Sequence, residues 1–152
     1  MNKKRSAFTM IEMVFVIVVL AILAGIAIPK FTATRTDAII AKGRSDVASI
    51  RTAISTERQK RFMKGDSSYI SVLDHQAAAP GEGVVLFDNN GTAGSTLLTY
   101  GITTKNADGG WMKTAANTYT FQVAGTTNTF TYNSASGTFS CTAGTYCDNL
   151  TK

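Results

Sequence analysis

The chain has 152 residues, of which 44% are hydrophobic and 16% are charged, and it contains only 2 cysteines. This length suits a single domain, the composition excludes a disordered chain, and two cysteines are too few for a disulfide-dense miniprotein. The net charge of +5 is segregated: residues 29–64 carry nine basic residues against three acids, a net of +6, whereas residues 65–152 carry three against six, a net of −3.

The first element in the chain is an apolar run from Phe8 to Ile28, in which only Thr9 and Glu12 are clearly polar. About 21 helical residues at 1.5 Å each span roughly 31 Å, which matches the hydrocarbon core of a bilayer. Basic residues precede the run, so we expect one membrane span with a cytoplasmic N-terminus. The run is longer than the apolar part of a signal peptide and continues through Pro29 into an amphipathic pattern, so we expect it to be retained.

Glu12 is an acid inside this apolar segment. A carboxylate costs on the order of 2.5–3.5 kcal/mol at the bilayer centre and usually has a partner there. The run contains no Lys, Arg or His that could neutralise it. Two interpretations are open: Glu12 reaches water near the cytoplasmic edge, or its partner lies on another chain.

The basic start, the Ala7-Phe8 pair, Glu12 and the long apolar helix together resemble the N-terminus of type IV pilins and type II secretion pseudopilins. The resemblance implies that a prepilin peptidase cuts between Ala7 and Phe8 and that Phe8 is then N-methylated. It also implies that Glu12 pairs with the Phe8 amine of a neighbouring subunit. The family usually has Gly before the cut, and Ala7 is a small residue in its place.

The same resemblance implies a single-pass protein of the bacterial inner membrane that assembles into a homo-oligomeric helical filament, periplasmic or extracellular. The implied partners are the prepilin peptidase and an inner-membrane assembly platform with its ATPase, while the subunit itself has no catalytic residues and no cofactor. A surface pilus and a secretion pseudopilus both remain open. The alternative is an unprocessed single-span anchor that displays a periplasmic binding head.

Gly25 and Pro29 lie at the outer end of the predicted span, residues 8–29. Both residue types weaken a helix. They predict a kink at the membrane exit or, as the resemblance implies, a segment from Ala21 to Pro29 that loses helix inside a filament.

An amphipathic stem helix is predicted over residues 30–64, because apolar or small residues recur there at spacings of three and four. These residues are Ile40, Gly43, Val47, Ile50 and Ile54. The basic stretch 58–64 is interpreted as a solvated helix end rather than a nucleic-acid contact. Gly65 is expected to stop the helix.

Residues 65–152 predict a β-rich head that folds together with residues 40–64, which gives an α+β fold of one long helix on a small antiparallel sheet. Short strands are predicted at 84–87 and 96–103. Three later runs, 118–123, 130–132 and 139–141, alternate with period two and predict a meander whose turns lie at 124–128 and 133–137. The stripe of Val47, Ile50 and Ile54 is expected to cover the aromatic face of this meander.

Cys141 and Cys147 predict a disulfide, because the head is expected in an oxidising compartment. No further Cys or His lies nearby, so a metal site at this pair is not expected. The resemblance to pilins adds that such a C-terminal disulfide often bounds a loop used for contacts.

His75 is the only histidine, so a membrane-tethered enzyme would have to use it. Its sequence neighbour Asp74 does not make a triad, and no nucleophile motif is present, so we do not expect an enzyme. Asp88, Asn90 and Asp108 are weak candidates for calcium ligands, because major pseudopilins bind calcium in the head. Turn formation explains these residues without an ion.

Overall fold

The computed structural model describes residues 8–76, 79–88 and 97–152, and the chain divides into two compact units, residues 1–35 and 36–152. Helix α1, Met10–Met63, is followed by strands β1 (Val85–Leu86), β2 (Ile102–Thr103), β3 (Trp111–Ala115), β4 (Thr118–Val123), β5 (Thr126–Asn133) and β6 (Thr138–Ala143) and by helix α2, Cys147–Thr151. One long helix with antiparallel sheet confirms the predicted α+β fold.

In the first unit α1 exposes almost every described side chain. The helix continues through Gly25 and Pro29, so neither residue ends it. Loss of helix at this point concerns the filament and stays a prediction. Two hydroxyl groups of this unit bond back to the helix: Thr32 donates to the carbonyl oxygen of Ile28 at 3.2 Å, and Thr34 donates to that of Lys30 at 3.0 Å.

In the second unit α1 buries the predicted stripe, since Val47, Ile50 and Ile54 are at most 2% exposed. On the opposite side of the helix, hydroxyl groups donate to carbonyl oxygens four residues earlier; they belong to Ser49, Thr52, Ser55 and Thr56. The helix ends at Met63, and Gly65 follows with a φ of +85°. This left-handed residue is a common helix stop and agrees with the predicted end.

The main sheet has the order β3-β4-β5-β6 with every pair antiparallel, which confirms the predicted meander of β4, β5 and β6. Tyr119 faces Phe130 across β4 and β5, and Tyr132 faces Phe139 across β5 and β6. The first turn is tighter than predicted, because it consists of Ala124 and Gly125 alone, both at positive φ. Strand β3 is an addition that the sequence did not predict.

The strand predicted at 96–103 is largely wrong, because only Ile102 and Thr103 pair there, with β1. Residue 96 lies outside the described residues. Leu97 is 7% exposed in the core, and the amide of Leu98 donates to the carbonyl oxygen of Phe87 at 3.0 Å. The segment therefore bends into the core before it reaches the ladder.

The core is aromatic and lies between the sheet and α1. Trp111 packs against Phe130 with ring centroids 5.1 Å apart, and Phe130 stacks on Phe139 at 5.3 Å. Gly43 of α1 permits close packing, because a Cβ atom there would lie 2.5 Å from the ring of Phe121 and 2.6 Å from Leu150. The glycine thus belongs to the buried stripe for its size.

On the opposite side of the sheet nine of twelve side chains bear a hydroxyl group, and we call this side the threonine face. Its residues are Met112, Thr114, Thr118, Thr120, Gln122, Thr127, Thr129, Thr131, Asn133, Thr138, Ser140 and Thr142, and none of them is buried. Between Trp111 and Cys147 the only charged residue is Lys113, which is 5% exposed on the core side. The threonine face is therefore uncharged.

Candidate functional site

The start of helix α1 is closed by a reciprocal pair of hydrogen bonds between Thr9 and Glu12. The backbone amide of Glu12 donates to the Thr9 hydroxyl at 3.3 Å, and the amide of Thr9 lies 3.5 Å from Oε2 of Glu12. This is a capping box, which satisfies two amides that a helix start leaves unpaired. The role of Thr9 was not predicted from the sequence, although the spacing Thr-x-x-Glu before an apolar run is the recognised signal of a capping box.

The capping box directs the Glu12 carboxylate back toward the N-terminal end of the helix. A negative charge there is favoured by the helix dipole. Phe8, the residue that the predicted cut would expose, precedes this box and its side chain is 73% exposed. Ala7 lies outside the described residues, so the structure bears on the Phe8 side of the predicted cut alone.

The apolar side chains of α1 in the first unit are exposed rather than packed. Ile17 is 61% exposed, Leu23 57% and Ile26 70%. Helix α1 contains an 18-residue window with a mean hydropathy of 3.0 that is 0% buried, and among the described residues it is the helix long and apolar enough to cross a membrane. Such a surface is stable only when lipid or other apolar side chains cover it.

Residues 2–28 match the family model described as the prokaryotic N-terminal methylation motif. This motif is the prepilin-type signature of type IV pilins and pseudopilins, so the resemblance drawn from the N-terminal residues is confirmed. A comparison with curated proteins found no match, and a comparison with solved structures found none either. The motif indicates a structural protein of the kind that prepilin peptidase processes and that assembles into filaments.

The predicted disulfide between Cys141 and Cys147 is present and joins the end of β6 to α2. Helix α2 contributes the fully buried Leu150 to the core. Two guanidinium nitrogens of Arg44 on α1 donate to the carbonyl oxygen of Asn149, at 2.7 and 3.0 Å. The disulfide and these bonds hold the C-terminal helix against the stem helix.

A buried polar cluster lies beneath the loop that follows the stem. The ammonium of Lys113 lies 2.7 Å from Oδ1 of Asp74, with the two side chains 5% and 0% exposed. The hydroxyl of Tyr119 donates to the other carboxylate oxygen, and Lys113 also donates to the carbonyl oxygen of Gln76. Burial, followed by the bond to Asp74, raises the pKa of Tyr119 well above its usual range. The phenol therefore stays protonated and keeps donating to the carboxylate.

Tyr132 forms a second buried phenol contact in the head. Its hydroxyl donates to the carbonyl oxygen of Ile70 at 2.8 Å. Burial raises the pKa of Tyr132 to about 12, against the opposing effect of the Arg61 charge. Ionisation of this phenol would remove its only proton for donation.

The structure separates His75 from its sequence neighbour Asp74, which turns into the buried cluster. Nδ1 of His75 instead lies 3.1 Å from Oδ1 of Asp88, and Nε2 lies 3.0 Å from the side-chain nitrogen of Gln76. The arrangement is a hydrogen-bonded surface contact between an imidazole, a carboxylate and an amide, and within the described residues no hydroxyl or thiol hydrogen-bonds to the imidazole.

The calcium candidates do not come together as a ligand set in the described part of the chain. Asp88 pairs with His75, and Oδ1 of Asp108 accepts from the amide of Gly125 at 2.7 Å, which supports the β4–β5 turn. Asn90 lies outside the described residues. Those residues contain no group of three His, Cys, Asp or Glu side chains that could hold a metal ion.

The basic end of α1 is partly neutralised. The guanidinium of Arg58 lies over the Tyr69 ring, 4.2 Å from its centroid, and Lys60 and Arg61 approach Glu57 at 3.5 and 3.9 Å. These contacts fit a solvated helix end, the interpretation favoured from the sequence.

Proposed function

We propose that this chain is a subunit of a type IV pilus-like filament or of a type II secretion pseudopilus, matured by cleavage between Ala7 and Phe8. The observation that carries the proposal is the methylation motif over residues 2–28. It coincides with the part of α1 whose apolar side chains are exposed. A motif for processing and an uncovered apolar helix therefore occupy the same segment.

Assembly by this segment needs adhesion and a fixed register. Burial of apolar side chains against neighbouring helices supplies the adhesion. Apolar surface that leaves water contributes about 25 cal/mol per Å², whereas surface that leaves lipid is held by van der Waals packing between the helices. Glu12 supplies the register, because cleavage creates an α-amine at Phe8 that can neutralise a carboxylate of the adjacent subunit. In an apolar surrounding an unpaired carboxylate is expensive, so subunits that place the amine at Glu12 are favoured.

The capping box is compatible with this pairing. Only Oε2 of Glu12 faces the Thr9 amide, and a carboxylate can accept several hydrogen bonds through its two oxygens. The cap holds the side chain at the N-terminal end of the helix, which leaves the second oxygen for an amine from another subunit. Work for assembly comes from a separate ATPase at the inner-membrane platform, and the subunit acts by packing.

The decisive experiment shears cells that express the chain, images the released material and sequences its N-terminus. We expect a mature protein that begins at Phe8 and sediments as fibres. Glu12→Ala should abolish the fibres while export and folding of the head persist. Asp37→Ala is the matched control, because Asp37 is an exposed acid of the same helix, and it should leave assembly intact.

Two other outcomes separate the alternatives. A mature protein that begins at Met1, disperses singly in detergent and tolerates Glu12→Gln would be an unprocessed anchor and would overturn the proposal. Fibres on the cell surface would identify a pilus, whereas processed protein without surface fibres would favour a pseudopilus.

A further inference from the structure

The threonine face differs from an ordinary protein surface in its chemistry. Charged residues usually make up about a quarter to a third of the surface of a soluble protein. They keep the surface hydrated and prevent association between molecules. The 37 residues from Trp111 to Cys147 include one charge, that of Lys113, and it is turned into the core. Removal of water from this face therefore requires no desolvation of a charged side chain.

The strand register aligns the hydroxyl groups into rows. Thr120 faces Thr129 across β4 and β5, and Thr118 faces Thr131, which in turn faces Ser140 on β6. Strands lie about 4.8 Å apart, so neighbouring hydroxyls repeat at about that spacing along a row. Because threonine is β-branched, its side chain is already restricted and loses little freedom on binding.

Several of these hydroxyls have no partner within the described chain. The side chains of Thr120, Thr127, Thr129 and Ser140 make no hydrogen bond to other described residues. In the described part of the chain, hydroxyls pair with each other where Oγ1 of Thr131 lies 3.3 Å from Oγ1 of Thr142 and where Oγ1 of Thr138 lies 2.8 Å from Oγ of Ser136. The centre of the face thus offers donors and acceptors beside the threonine methyl groups.

We propose that the threonine face is a docking surface for a neutral polysaccharide. A sugar chain presents hydroxyls and C–H groups at every residue, which match the hydroxyl and methyl groups of the face. The absence of charge is complementary to an uncharged chain and gives no attraction for nucleic acid or anionic lipid, both of which need basic residues.

A second copy of the protein fits this face less well. Buried protein interfaces are enriched in aromatic residues, Met and Arg at their centre. The threonine face has Met112 as its one large apolar residue, at the β3 edge. Hydroxyls left unmatched in a protein interface would each cost free energy, whereas a polysaccharide can satisfy them from its own hydroxyls.

The test is co-sedimentation of the full chain, kept in detergent, with microcrystalline cellulose as the neutral probe and with heparin-coated beads as the anionic probe. We expect binding to cellulose that is equal at low and high salt. Thr129→Val keeps the shape of the side chain and removes one hydroxyl, which should weaken binding about fivefold. Thr129→Lys should abolish binding to cellulose. Thr52→Lys adds the same charge to an exposed helix position and should leave binding to cellulose unchanged.

Three results would overturn the proposal. The first is no depletion of the wild-type chain by cellulose. The second is equal binding by the wild type and Thr129→Lys, with circular dichroism and thermal unfolding showing both folded. The third is self-association that Thr129→Lys abolishes, which would assign the face to a second copy. The assay uses single chains, so its failure leaves the filament proposal untouched.

Discussion

The two compact units of the chain treat apolar side chains in opposite ways. Ile17 in the first unit is 61% exposed, whereas Ile50 in the second is 0% exposed, although both are isoleucines of helix α1. The second unit completes its burial with its own strands. Among residues 8–35, the described part of the first unit, nothing covers the apolar side chains, so lipid or other chains are needed to bury them. Folding and assembly are therefore divided between two parts of one helix.

The largest expected effect concerns the buried cluster of the second unit. Asp74→Ala would leave the Lys113 ammonium buried without its carboxylate, which costs about 3–5 kcal/mol of unfolding free energy. Denaturant unfolding of the purified chain measures it. In the double variant Asp74→Asn with Lys113→Met, no charge remains, so most of the stability should return. An Asp74→Ala protein as stable as the wild type would contradict the assigned role of the cluster.

Substitution of one glycine of α1 in each unit allows a direct comparison of how tightly the two units are packed. Gly43→Ala places a Cβ 2.5 Å from the Phe121 ring, so overpacking should destabilise the second unit by about 1–3 kcal/mol. Gly25→Ala meets no atom within 4 Å and should stabilise the helix by about 0.5–1 kcal/mol. Thermal unfolding and helix content by circular dichroism distinguish the two. The contrast fails if both variants change stability in the same direction.

The capping box predicts a smaller and local effect. Thr9→Ala removes the hydroxyl that accepts from the Glu12 amide, which should cost about 1 kcal/mol at the helix start. Hydrogen exchange of the amides of residues 10–13 should quicken, while assembly persists because Glu12 remains. Thr32→Ala is the control, since that hydroxyl bonds within the helix interior. Loss of assembly in Thr9→Ala alone would show that the cap positions Glu12 for its partner.

The weakest expected effect is alkaline destabilisation of the head. Tyrosine in an unfolded chain ionises near pH 10, and Tyr132 in the folded head does so near 12. Between these values the folded state binds more protons, so the stability present below pH 10 declines as the pH rises toward 12. The stability of the Tyr132→Phe variant should decline less steeply over this pH range. Tyr100→Phe, at a side chain that is 89% exposed, should follow the wild type.

Patterns with one clear period could be predicted from the sequence. The stripe at Val47, Ile50 and Ile54 and the alternation of β4, β5 and β6 gave the helix face and the meander. Strand β3 was not predicted because its inward positions are Trp111 and Lys113. A lysine at an inward position hides the alternation of apolar and polar residues. The carboxylate of Asp74 and the carbonyl oxygen of Gln76, both distant in sequence, make that lysine suitable for the core.

The N-terminal site was predictable because its chemistry lies in contiguous residues. A basic start, Phe8 and Glu12 in an apolar helix were sufficient for the resemblance, which the motif at residues 2–28 confirms. The role of Thr9 was visible in the same residues but was not considered. Contacts such as that of His75 with Asp88 join distant segments, and no local pattern could indicate them.

The back-bonded hydroxyls of α1, from Thr32 to Thr56, have a consequence for any change of surroundings. Because these groups already donate to their own helix, each of them can lose contact with water without leaving its proton unpaired. Passage from a hydrated to a dry environment then requires no exchange of hydrogen-bond partners for these hydroxyls.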